Sequence, residues 1–427
     1  MTPPPDRRGP RPLPLHLMLA AGRGALAMLT LPNSPSGWPS WSDAWPVSKA
    51  GRVELARIAA ALAAGNHPPE AFAGAVLRRL LTEDRALLAG IAAYRRHPHR
   101  RDLADPPAIW AEGSARLLDY GGRGRPVLFV PSLVNRAHLL DLMPGASLLR
   151  FLAAGGVRPL LLDWGWPEAV ERRFTLTDQV AGRLERALGA VRGPVALVGY
   201  CMGGLLALAA ALRRPEKVAA LGLLATPWDF HATPADAARA RTLAALLPGL
   251  EPAMEASATL PVDAIQALFT GLDPHGVARK YRAFGRLDPG SDRARRFVAL
   301  EDWLNDGVPL AAPVAREVFS GWYGANEPGR GAWHIAGAPV LPEALACPAF
   351  LAIPARDRIV PPPAAAALAA RITGATVHEA TAGHVGMAAG SGAEAVLWRP
   401  LLSWLLHLPS APSRRKLDPR PSTRDIQ

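Results

Sequence analysis

Gly199-Tyr200-Cys201-Met202-Gly203-Gly204 joins an apolar run, Pro194–Tyr200, to a helical pattern over 203–214. A strand that enters a helix through so short a turn brings the two backbones close together. Glycines at 199 and 203 remove the Cβ atoms that would collide there. The residue between them stands at a helix N-terminus, where free N–H groups and the dipole favour an anionic sulfur. Cys201 therefore reads as a nucleophile on a strand-to-helix turn rather than as a buried core cysteine.

Around this turn, short apolar runs alternate with helical patterns. Pro126–Val130, Arg158–Trp164, Pro194–Tyr200 and Val218–Ala225 read as strands, and 146–154, 177–190 and 203–214 as helices. Continuous apolar runs in such an alternation predict a mostly parallel central sheet covered on both faces. The alternation stops at Pro227. Residues 229–335 carry helical and irregular patterns without strand grammar. The rhythm then resumes with Pro348–Asp357, Pro362–Ile372, Ala375–Ala380 and a last helix, Ala393–His407. A largely helical cap inserted over about 229–335 in a continuing sheet is the layout of an α/β-hydrolase fold.

A nucleophile on such a turn needs an acid and then a base later in the chain. Asp357 follows a strand run, and His384 lies in the loop after the last one, in Ala382-Gly383-His384-Val385-Gly386. Taken singly, Asp357 would pair with Arg356 or Arg358, and His384 would cap a helix. Their order and context favour a Cys201–Asp357–His384 triad. His384 would take the thiol proton or form a thiolate–imidazolium pair, and Asp357 would orient and stabilise the imidazolium. The backbone N–H of Met202 would hold the oxyanion. A second donor is expected from the loop Pro131–Arg136 and is assigned to Val134. A thiol accepts an acyl group from a thioester at little thermodynamic cost, and the acyl-enzyme can still acylate an alcohol. That favours acyl transfer over ester hydrolysis.

The N-terminal part follows other rules. Residues 1–12 are rich in Pro and Arg and are expected to be disordered. Leu13–Leu31 is apolar but interrupted by His16 and Arg23, which fits neither a membrane span nor a secretory signal. It reads as an amphipathic helix docked on the domain, with adsorption to a lipid or polymer surface as the alternative. Residues 32–48, with Trp38, Trp41 and Trp45, read as an irregular packed loop. Val53–Arg96 reads as helical, and Arg95–Arg101 as a solvated basic linker. The expected organisation is a tail and helical region over 1–110, a catalytic domain over 111–408 and a disordered basic tail over 409–427.

The net charge is +12, yet only Lys49, Lys217, Lys280 and Lys416 among the 48 basic residues are lysine. Arginine together with much Ala, Gly and Pro is the imprint of GC-rich coding. No zinc finger, RNP-like aromatic motif or long basic helix is present, so nucleic acid is not an expected partner. A basic surface also suits an acidic substrate such as a phosphate-bearing thioester. Two cysteines make neither a disulfide framework nor a four-ligand zinc site, and point to a reducing cytosol. Cys347, just before a buried strand, reads as inert core. No H-E-x-x-H pattern and no Walker A sequence occur, and Gly121–Gly124 is a turn rather than a dinucleotide fingerprint. Neither a metal nor a cofactor is expected.

Several stretches, in order along the chain, resemble the poly(3-hydroxyalkanoate) synthases, especially the shorter catalytic subunits of the class III and IV type. They are Val130–Arg136 with Asp141-Leu142, Leu162–Pro167, the cysteine turn, Ala225–His231, Leu300–Trp303, Asp357–Pro362 and Gly383–Gly386. Together they cover about 115–408. Leu162–Pro167 and the cysteine turn are the most specific, whereas the Asp and His motifs occur in many α/β-hydrolases. The resemblance implies that 3-hydroxyacyl-CoA is polymerised into a polyester with release of CoA. Cys201 would carry the growing chain, with His384 as base. Asp357 would be its partner and would also help activate the incoming 3-hydroxyl. CoA enters as part of the substrate and not as a cofactor.

The resemblance further implies a mobile cap over the nucleophile, with Trp303, Trp322 and Tyr323 either packing it or lining an acyl channel. It implies a cytoplasmic setting and leaves open a polyester granule surface, a homodimer or a partner subunit. Residues 1–110 have no motif-by-motif match in the family. A hydrolase with the same triad, a thioesterase or an intracellular polyester depolymerase, is the alternative. The two differ in whether water or a hydroxyl meets the acyl-enzyme. A non-catalytic granule-associated or scaffolding protein is a third reading, and the intact triad argues against it.

Overall fold

The computed structural model describes residues 7–29, 31, 48–65 and 68–409. The expectations for residues 1–6, for the tryptophan-rich stretch 32–47 and for the tail from 410 lie outside them. The chain divides into two compact units. One comprises Met1–Ala104, Val134–Gly145 and Gly249–Leu310, and the other Asp105–Leu133, Ala146–Pro248 and Ala311–Gln427.

The second unit is built on an eight-stranded sheet. Its strands are β1 (Ala108–Glu112), β2 (Ala115–Asp119), β3 (Pro126–Val130), β4 (Arg158–Asp163), β5 (Val195–Tyr200), β6 (Val218–Leu224), β7 (Ala349–Pro354) and β8 (Thr376–Ala380). They lie in the order β1-β2-β4-β3-β5-β6-β7-β8. From β4 to β8 every pairing is parallel, while β1 with β2 and β2 with β4 are antiparallel. The central strands are buried over most of their length: Val127–Val130 and Val195–Val198 have no exposed surface. That burial on both faces is why their sequences are unbroken apolar runs. The helices Leu148–Ala154, Met202–Arg213, Pro362–Ala369 and Arg399–His407 fill the connections read from the sequence.

The β1–β2 hairpin was not expected. Its two-residue turn, Gly113-Ser114, has Gly113 at φ 54°, the conformation a tight hairpin needs. β1 is largely solvent-facing, so polar residues break the pattern that marks the inner strands.

The inserted region is helical, as its sequence indicates, and the two units share it. Pro234–Ala244 and Ala312–Glu317 belong to the second unit, while Val262–Thr270, Gly276–Phe284 and Asp292–Asn305 belong to the first.

In the first unit the expected N-terminal helix spans Leu13–Leu29. The later helical stretch divides into Lys49–Gly65 and Pro69–Arg96, with Pro68 extended at the break. Leu87, Ile91 and Tyr94 pack with Tyr281, Phe284, Ala294 and Val298 in one apolar cluster, against which Leu13 and Ala20 lie.

Two expectations are corrected here. Residues 7–12 are ordered. The Arg7 guanidinium is buried, bonds Asp302 at 2.6 and 2.7 Å, and reaches the carbonyls of His97 and His99. The basic run 95–101 is not a solvated linker. His97 is buried with Nε2 2.9 Å from Pro289 O, and Arg101 pairs with the buried Asp141 at 3.0 Å. Carboxylates and carbonyls distant in sequence hold Arg7 and Arg101, so composition alone misreads them. Among the described residues no helix is long and apolar enough to cross a membrane.

Candidate active site

β5 ends at Tyr200 and the helix Met202–Arg213 starts at once, so Cys201 makes the whole turn. Its backbone stands at φ 56°, ψ −128°. A residue with a Cβ is strained there by about 1–3 kcal/mol. Cys201 N donates to Leu224 O at 2.8 Å, and Gly204 N donates to Cys201 O at 2.9 Å. Close approach is built in by the glycines. A Cβ on Gly203 would lie 2.1 Å from Val130 O, and one on Gly199 would lie 2.3 Å from the Gly204 Cα. Behind the turn, Trp164 Nε1 donates to Pro131 O at 3.1 Å, and Ser114 Oγ donates to Trp164 O at 2.8 Å. The specific Leu162–Pro167 stretch thereby anchors the loop that follows β3.

Asp357 follows β7. Its Oδ1 accepts from the backbone N–H of Ile359 at 2.8 Å and of Val360 at 2.9 Å. Its Oδ2 lies 2.6 Å from His384 Nδ1, and both side chains are buried. His384 opens the helix His384–Ala389 after β8. With Nδ1 committed to Asp357, Nε2 is left for the Cys201 thiol, whose charge acts on the imidazole. Burial alone would lower the His384 pKa. The Cys201 charge, the hydrogen bonds to Asp357 and Cys201 and the Asp357 charge outweigh it and raise the value from 6.5 to about 10. Cys201, Asp357 and His384 are thus together in the second unit. Met202 opens the helix beside them, so its N–H has no acceptor one turn earlier. Val134 belongs to the first unit, where its carbonyl accepts from Val308 N at 3.1 Å.

Two tyrosines belong to the site without having been singled out for it. Tyr200 is buried beside the base: its hydroxyl donates to His384 O at 3.2 Å. Burial and the neighbouring Cys201 and Asp357 charges push its phenol well above the ordinary value. Tyr323 has its phenol pushed up to about 12, by burial and then by the Cys201 charge. Its ring meets Phe230 edge-on at 5.1 Å, and Asn326 holds the Phe230 backbone N–H at 2.9 Å. The only sequence signal for Tyr200 was its place inside the cysteine turn. Tyr323 had been read as either packing or channel lining, and its ring packs against Phe230 and Phe319 within reach of the Cys201 charge.

The tryptophans read with Tyr323 are packed side chains. Trp322 is buried against Phe230 and Trp333, and Trp303 is buried with Nε1 donating to Arg136 O at 2.8 Å. Cys347 is half-buried before β7, and burial pushes its thiol up to about 11, which keeps it protonated and inert. Among the described residues no three His, Cys, Asp or Glu side chains gather as a metal site. The assembled groups are a nucleophilic thiol, a base with a fixed tautomer and a carboxylate that stabilises its charged form. They are the elements of covalent acyl transfer.

Residues 173–389 match the alpha/beta hydrolase fold family. The chain is 27% identical over 310 residues to the poly(3-hydroxyalkanoate) polymerase subunit PhaC of Haloferax mediterranei, covering 69% of this chain and 62% of that one. It is 27% identical over 290 residues to the subunit of the same name from Allochromatium vinosum, covering 66% of this chain and 80% of that one. The Synechocystis subunit of that name is 28% identical over 292 residues, covering 66% of this chain and 77% of its own length.

Proposed function

This chain belongs to the alpha/beta hydrolase fold family and, within it, to the poly(3-hydroxyalkanoate) synthases, and from that premise we propose that it polymerises 3-hydroxyacyl-CoA through a Cys201-linked acyl-enzyme. The observation that carries the reading is the thiol itself. A cysteine, not a serine, occupies the strained turn, beside a His384 that is locked to Asp357 and feels the cysteine's charge.

The steps follow from these groups. Sγ attacks the thioester carbonyl carbon with its proton already held on the His384 imidazolium, which Asp357 stabilises at Nδ1. The oxyanion is held by Met202 N–H. The carbon–sulfur bond to CoA breaks, CoA leaves with the proton from His384, and the acyl group remains on Cys201. The 3-hydroxyl of another unit then attacks this thioester. His384 removes its proton, an ester bond forms, and Sγ leaves as the anion paired with the His384 imidazolium. Cys201, His384 and Asp357 carry every transfer, so the mechanism needs no cofactor beyond the substrate's own CoA. The reading also carries a cytoplasmic setting, supported by dependence on a CoA thioester and by two free cysteines.

The test is an assay of purified protein with 3-hydroxybutyryl-CoA that follows released thiol and acyl product, with Cys201→Ala beside it. Thiol release with high-mass polyester, absent in Cys201→Ala, is the expected result. Release with only free 3-hydroxybutyrate would replace the synthase reading with a thioesterase.

A further inference from the structure

The first unit contains a cavity of about 990 Å³, walled in part by its N-terminal segment. Five arginines line it, Arg7, Arg8, Arg11, Arg100 and Arg101, against three acids, Asp263, Asp302 and Asp306. Each acid is committed to one cation. Asp302 holds Arg7 at 2.6 Å, Asp263 holds Arg11, and Asp306 lies 3.2 Å from Arg136. Arg101 is held from behind by the buried Asp141. When these pairs are set aside, Arg8 and Arg100 remain, and among the described residues neither has an acidic partner.

The wall therefore carries two surplus guanidinium groups on a frame that its own ion pairs hold in place. The helix Leu13–Leu29 begins at the same wall, since Pro12, Leu13 and Pro14 line the cavity. Pro14 has no N–H and His16 N–H bonds Pro12 O, so of the first turn Leu13 and Leu15 keep N–H groups without a partner in the helix, and its positive end adds to the two charges.

We propose that this cavity binds a phosphorylated ligand of nucleotide size, with its phosphate oxygens on Arg8 and Arg100. Guanidinium groups match phosphate in geometry and stay charged at any physiological pH. The volume is at the upper end of the range for small-ligand pockets, far larger than one inorganic ion fills. The chemistry is shared by two sources, the nucleotide end of a CoA thioester and a free nucleotide. The proposal does not depend on the acyl-transfer reading, and its test reads binding rather than turnover.

The experiment is calorimetric titration of the full chain at low ionic strength with CoA, with ADP and with inorganic diphosphate. Three proteins are compared: wild type, Arg8→Gln/Arg100→Gln, and Arg123→Gln, which removes an exposed arginine of the second unit. CoA or ADP binds the wild type and Arg123→Gln alike, and the double variant binds about tenfold or more weakly. CoA binding tighter than ADP identifies the thioester as the source, whereas equal affinity identifies a free nucleotide. Absence of binding by all three titrants, or equal affinity in the double variant, overturns the proposal. Among the described residues neither side chain holds an ion pair, so the double variant should melt with the wild type. If it melts early, the single variants carry the same comparison.

Discussion

Tyr200 and His384 are tied twice: the tyrosine hydroxyl donates to the histidine carbonyl at 3.2 Å, and the two rings lie 5.2 Å apart. The residue just before the nucleophile thus holds the backbone of the base. Tyr200→Phe removes that bond and leaves a buried carbonyl without its donor. The expected cost is about 1–3 kcal/mol of stability, read by urea denaturation. Turnover should fall while KM holds, because the base is displaced and the binding groups are not. Unchanged turnover would show that the backbone tie does not position the imidazole.

The His384 proton depends on its neighbours. The Cys201 charge is the largest contribution raising the pKa to about 10, and burial opposes it. In Cys201→Ala that charge vanishes, so the His384 pKa falls. Histidine NMR titration should show a ring protonated through neutral pH in the wild type, losing its proton only near pH 10, and titrating lower in Cys201→Ala. The same pKa in both proteins would mean that thiol and imidazole are not electrostatically coupled.

Gly203 permits the meeting of helix and strand. A Cβ there would lie 2.1 Å from Val130 O and 2.5 Å from Pro131 O, both backbone atoms that cannot swing away. Gly203→Ala is expected to destabilise the second unit by about 3 kcal/mol or to prevent its folding, as seen in thermal melts. Ala at Gly189, where a Cβ meets nothing within 4 Å, should leave the melt nearly unchanged and serves as the control.

The first unit has its own keystone. Arg7 bonds Asp302 and two carbonyls from a buried position, and Tyr94 also donates to Asp302 at 2.8 Å. Arg7→Ala leaves a partly buried carboxylate and two carbonyls without their cation. A loss of about 3 kcal/mol is expected, with earlier proteolysis of the N-terminal segment. A melt indistinguishable from wild type would show that the segment is not held by this pair.

The legible parts of this sequence are those whose local pattern and fold agree. Val195–Tyr200 is a continuous apolar run because both of its faces are buried, and the glycines of the cysteine turn declare a close backbone approach. Asp357 and His384 could be found because each follows the end of a strand. The β1–β2 hairpin was hidden because Glu112, Arg116 and Asp119 interrupt its alternation on an open sheet edge. Arg7 was unreadable because its carboxylate partner is 295 positions away. Tyr200 escaped notice because its hydroxyl bonds a backbone carbonyl, which no side-chain pattern announces.

The most direct test of the central claim is peptide mass spectrometry after brief mixing with 3-hydroxybutyryl-CoA and an acid quench. The account predicts a 3-hydroxybutyryl adduct, alone or extended by further units, on the peptide containing Cys201. The adduct should be labile to hydroxylamine, as a thioester is, and absent from Cys201→Ala. An adduct on another residue, or CoA release that persists in Cys201→Ala, would contradict it.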